Sequence, residues 1–130
     1  MRDFEARLAQ VVAPLSAIIF TDDQAILEAW RCAAEDVASL GGHVGGHADV
    51  AETSVMLLLH PEKVRTERFA RGYSGPVDHE ILVRAFTEGI HSVSPNGVLG
   101  DPAGASKSIG TACLNAVTSL IVDYARARGA

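Results

Sequence analysis

The chain has 130 residues, a formal net charge of −5 and a hydrophobic content of 48%. That is a single domain's worth of ordinary globular composition, long enough to bury roughly two thirds of its unfolded surface. The densest basic stretch, Lys63 to Arg71, is interrupted by Glu67 and reads as a solvated face, so with a net negative charge nucleic-acid binding has little support.

The first segment, MRDFEARLAQ, is charged and lacks the apolar centre of a secretory signal, so the expected location is the cytoplasm. Phe4, Leu8, Val11 and Val12 then fall on one helical face, ended by Pro14. Leu15 to Phe20 is a short apolar run that predicts a buried strand. Thr21 and Gln24 have capping-box spacing, and Ile26, Trp30, Ala33, Val37 and Leu40 form one stripe behind them. Gly41 is expected to close that helix, and Gly41 to Gly46 to form a glycine-rich loop.

Asp49 to Leu59 is helical by its cap and its length, and its apolar run, Val55 to Leu59, is far too short to span a bilayer. Residues 70 to 80 read as loop, Ile81 to Phe86 as a short helix, and Ser92 to Ser106 as a long turn-rich segment. The last helix carries Ile109, Cys113, Ala116, Val117, Leu120, Ile121 and Tyr124 on its buried side, with Arg126 and Arg128 near its negative end. Two cysteines, Cys32 and Cys113, both in helical patterns, do not form a disulfide framework. The pattern is α/β, helix-rich, with one strand that needs neighbours for its edges.

Three stretches bear on chemistry. His43 and His47 are four apart, a spacing that lets two histidines share a metal on a helix, but the surrounding glycines oppose a helix there. Asp49-Val-Ala-Glu52 has capping-box spacing, which explains both acids without catalysis. His47, in a glycine loop, is freer to pass protons near neutral pH. The stretch GDPAGASKS imitates a phosphate loop, but Lys107 arrives one residue late for that motif. There is no G-x-S-x-G elbow and no C-x-x-C pair.

HADVAETSVMLLLHPEKV resembles the second-half signature of the creatininase family, roughly His-Ala-Gly-x-x-Glu-Thr-Ser before an apolar helix ending in Pro. SVSPNGVLGDPAGAS is similar to the same family's late segment, in wording closest to members associated with mycofactocin maturation. The resemblance covers essentially the whole chain, as a single domain over residues 1–130. It implies part of an α/β/α sandwich with a mostly parallel sheet. It also implies a metal-dependent amidohydrolase, acting on a small cyclic amide, a formamide or a short peptide. In that family a pair of divalent ions, Zn, Fe or Mn, activates a water. His47 then takes the position of the active-site histidine, as general acid or hydrogen-bond donor, and Glu52 that of the motif glutamate.

The departures are specific. Gly46 stands where relatives often carry an acid, and Asp49 replaces the motif glycine. The family's metal ligands lie mainly in its first half, in Glu-x-His-Gly and Asn-Gly-His segments, and the sequence has neither; Val98 follows Asn96-Gly97. The resemblance is therefore to a second half. It implies a partner polypeptide carrying the other half, or a homo-oligomer; the charge distribution and the short apolar runs lead us to expect no nucleic-acid or membrane partner. The competing reading is a non-catalytic structural or binding remnant.

Overall fold

The computed structural model describes residues 20–128. The expected first helix, Phe4 to Val12, lies outside the described residues, as does all of the expected Leu15–Phe20 strand except Phe20. Four helices and two short strands follow: α1 (Asp23–Ala38), β1 (Val44–His47), α2 (Val50–Leu59), α3 (His79–Glu88), β2 (Leu99–Gly100) and α4 (Lys107–Arg126). The result is a predominantly helical α/β fold with a small sheet, consistent with part of an α/β/α sandwich. Among the described residues no helix is long and apolar enough to cross a membrane.

Helix α1 begins one residue later than the Thr21 cap implies. Asp22 is the cap, and its carboxylate accepts from Ala25 N at 2.9 Å. Either side chain can satisfy the free amides of a first turn, and the carboxylate holds the position. The helix ends at Ser39, which takes the left-handed conformation expected of Gly41. Gly41 serves a different need: a Cβ there would lie 3.0 Å from the Arg31 carbonyl oxygen. Within the expected stripe Val37 is 45% exposed, and Ala34 is buried in its place beside Ala33.

Both α1 and α2 pack on α4. The core is Ala33, Ala34, Val44, Val50, Ala51, Ile109 and Cys113, with Leu27, Trp30 and Leu40 against it. Small residues at these crossings bring the helix backbones close. Gly110 is the tightest case, since a Cβ there would sit 2.3 Å from the Ser54 carbonyl oxygen. Of the expected α4 stripe, Ile109 and Cys113 are fully buried, whereas Ile121 faces solvent.

The glycine loop is in fact a turn (Gly41–His43) running into β1, and β2 lies inside the segment expected to be all turn. Glycine has poor strand propensity, so neither strand is visible by composition. The pairing needs glycine all the same. A Cβ on Gly45 would meet the Leu99 carbonyl oxygen at 2.5 Å, and one on Gly100 would meet that of His43 at 2.4 Å. The expected mostly parallel sheet is not what the described strands form. β1 and β2 are antiparallel, in register Val44↔Gly100 and His47↔Leu99 with an irregularity between, and the parallel contact is a single bridge, Tyr73↔Leu99.

The α2–α4 crossing predicts an inverted response to alanine. Mid-helix Gly→Ala ordinarily stabilises by about 0.5–1 kcal/mol. At Gly110 the carbonyl in the way makes Gly110→Ala destabilising by about 1–3 kcal/mol, read from urea unfolding. Gly42→Ala, with nothing within 4 Å of the added Cβ, stays within about 0.5 kcal/mol of the parent.

Candidate functional site

The corner between β1 and α2 holds the two residues picked out by sequence, and its centre is Asp49. This side chain is completely buried. Its Oδ2 accepts from Gly45 N (2.9 Å) and Gly46 N (2.8 Å). Its Oδ1 accepts from Ala51 N and Glu52 N, both at 2.9 Å. One carboxylate thus joins the end of the strand to the start of the helix. The chain between has to fold back on itself, with Gly46 at φ 101° and Ala48, a residue with a Cβ, at φ 52°.

Glu52 completes the box in a shifted form. Its Oε2 accepts from Ala48 N at 2.5 Å, one residue before the cap. The same oxygen is 3.7 Å from His47 Nδ1. That is ion-pair distance and longer than a hydrogen bond. The two side chains are 54% and 42% exposed, so both reach solvent from a backbone that is held rigidly. The structure therefore brings His47 and Glu52 together and gives Glu52 its capping role as well.

His43 does not join them. Its Nδ1 faces the Ala103 carbonyl at 3.2 Å and the Asp101 carboxylate at 4.0 Å, at the other end of β1. The His43–His47 metal pair is not formed: the ring nitrogens find separate carboxylates. Among the described residues no group of three or more His, Cys, Asp or Glu side chains converges as a metal ion requires. The acids at the corner are engaged by backbone N–H groups, four on Asp49 and one on Glu52. The described residues do not fit the metal pair that the family resemblance implies.

Several supporting residues carry no sequence signal of their own. Ser54, fully buried, accepts from Ser106 N at 3.0 Å and so holds the N-terminus of α4, which Ser106 itself caps. Asn96 donates to the carbonyls of Ala70 (3.4 Å) and Arg71 (3.1 Å), and its Oδ1 accepts from Ser94 Oγ at 2.8 Å. This staple brings residues 69 and 70 beside Val98. Together they form one side of a cavity of about 520 Å³ whose other walls include Trp30, Ala48, Glu52 and Met56. The cavity therefore opens beside the His47–Glu52 corner. An Asn at a turn is the available cue, but its partners lie some 25 residues away in sequence.

Beneath the corner, Cys113 is buried, and burial together with the nearby Asp49 charge pushes its thiol up from 9.0 to about 11. Cys32 is exposed.

The family model described as creatininase, creatinine amidohydrolase, matches residues 2–125, and the chain belongs to the creatininase family. Among individual proteins, it is 45% identical over 67 residues to the mycofactocin precursor peptide peptidase of Mycobacterium ulcerans (strain Agy99), covering 50% of this chain and 26% of that protein. The mycofactocin precursor peptide peptidase of Mycobacterium tuberculosis (strain ATCC 25618 / H37Rv) is 44% identical over 64 residues, 49% of this chain and 25% of that protein. The protein of that name in Mycolicibacterium smegmatis is 38% identical over 64 residues, 49% and 26% respectively. The chain thus spans about a quarter of the length of the curated relatives it matches. No solved structure matches it.

Two expectations follow from the corner. Asp49→Asn places an NH₂ group where the carboxylate now receives two N–H donors. We expect a loss of about 2–4 kcal/mol in urea unfolding, from buried donors left unpaired. A loss below about 0.5 kcal/mol would mean that those N–H groups find other acceptors.

The second concerns Cys113, whose proton is held more tightly folded than unfolded. Its contribution to stability is whole below pH 9 and falls as pH rises from 9 towards 11, because the unfolded chain loses the proton first. The difference in stability between the parent and Cys113→Ala should narrow across that window. A difference that is flat with pH refutes the assignment. In the folded chain a thiol reagent should modify Cys32 well before Cys113.

Proposed function

We propose that this chain is the substrate-side part of a creatininase-family amidohydrolase, with His47 as proton donor and Glu52 as the group that orients it. The observation that carries this is the convergence of His47 and Glu52, 3.7 Å apart and accessible to solvent, where Glu52 also lines a mostly apolar cavity. The bond broken is the C–N bond of a small cyclic amide, a formamide or a short peptide. One water is consumed, its hydroxyl ending on the acyl carbon and a proton on the departing nitrogen. An imidazole positioned beside the departing nitrogen can supply that proton. Glu52 faces His47 with an oxygen already fixed by Ala48 N, so it can orient the ring without adding a mobile group.

The divalent metal that family membership suggests comes, in this reading, from a second polypeptide carrying the Glu-x-His-Gly and Asn-Gly-His segments, and the working enzyme is a complex or an oligomer. Support for the hydrolytic reading comes from the family match.

The test is turnover of a cyclic amide or short peptide by the complex, beside thermal melts. His47→Ala should lower turnover by about 10²–10⁴-fold with little change in melting temperature. Glu52→Gln keeps an oxygen for Ala48 N, so it should retain stability and lose rate. If His47→Ala turns over normally, the corner is only a helix start and the chain is a structural or binding remnant.

A further inference from the structure

The cavity of about 520 Å³ beside Glu52 has the size of a small-molecule site. Its walls are mostly apolar, with Trp30, Met56, Phe69 and Val98 among them. Three further facts bear on what it holds. First, its charged lining is Lys63, Arg68 and Glu52, two cations to one acid. Glu52 already receives the Ala48 N–H and faces His47, whereas neither Lys63 nor Arg68 has an ion-pair partner among the described residues. The neighbouring acid Glu62 pairs with His60 instead, at 3.4 Å. Second, the Trp30 side chain is part of the same wall as Met56, Phe69 and Val98. Third, the two short turns that carry the cations, Pro61–Lys63 and Thr66–Arg68, lie directly before the Phe69–Ala70 wall, whose position the Asn96 staple fixes.

From this charge complementarity we propose that the cavity binds a carboxylate attached to an apolar body, with Lys63 and Arg68 reading the charge and the Trp30–Phe69 walls the body. Two cations with no ion-pair partner among the described residues favour an anion. The apolar walls favour a ligand that carries a large side chain next to that anion. The inference rests on the proposed hydrolytic reading in one respect: it makes this anion part of the substrate, held away from the bond that His47 attends. Lys63 and Arg68 are then residues that set specificity.

Trp30 is the only tryptophan of the chain, so its fluorescence reports the cavity directly. The full chain is titrated with N-acetyl-phenylalanine and, separately, with its carboxamide. The acid should give a saturable change and bind about tenfold more tightly than the amide, the ratio expected for one charge-assisted hydrogen bond. Lys63→Met combined with Arg68→Met, both at exposed positions, should remove that preference while leaving the melt unchanged. Equal binding of acid and amide, no saturable change, or an acid preference that survives the double substitution overturns the proposal. The same titration on His47→Ala separates the two readings. Retained acid binding in a chain whose complex has lost turnover supports both. Acid binding with no hydrolysis by the parent complex supports the cavity and refutes only the hydrolytic reading.

Discussion

Everything at the candidate site depends on a single buried carboxylate. Asp49 has no exposure and no ion-pair partner among the described residues, and its charge is met by four backbone N–H groups. A carboxylate at a helix start is also favoured by the helix dipole. Its two oxygens serve different elements, one the end of β1 and the other the first turn of α2. The angle between strand and helix is therefore set by the geometry of one planar group. His47 and Ala48 form the bridge across it, and the positive φ of Ala48 is a consequence. A non-glycine residue holds that conformation only where its surroundings leave no alternative.

Around this corner, the fold works by close approach. The helix crossings use Ala33, Ala34, Ala51, Gly110 and Cys113, and the sheet uses Gly45 and Gly100. Large side chains such as Trp30, Met56 and Phe69 are displaced to the cavity wall. The same economy of side-chain volume that brings the backbones together leaves an apolar space beside the site.

The helices were legible because their apolar residues repeat at helical spacing and their caps are chemically distinct. Asp49 and Glu52 were readable as a cap on spacing alone, with His47 just ahead of it in the glycine-rich turn. The two strands were not readable, since their pairing is enabled by missing side chains, and a glycine run looks like a loop whether or not it pairs. Their antiparallel direction was equally hidden, because it depends on residues 44 and 100 meeting. Asp49 seemed a departure from the family's motif; that its second oxygen reaches back to the strand is a three-dimensional fact with no sequence marker. The cavity was invisible for a similar reason. Its walls come from segments near residues 30, 50, 65 and 98, which no local pattern connects.

The bond from Ser106 N to Ser54 Oγ spans 52 residues, whereas every bond of the Asp49 corner spans four or fewer. That difference sets an order of assembly. Local turns close within microseconds, while synthesis proceeds at about 5–20 residues per second. On the ribosome the corner can thus be complete for seconds before β2 and the start of α4 exist. During that interval β1 lacks its described neighbour, and an unpaired edge is where chains associate with one another. Its glycines, which the mature pairing requires, also keep that transient edge short and poor in the side chains that aggregation recruits.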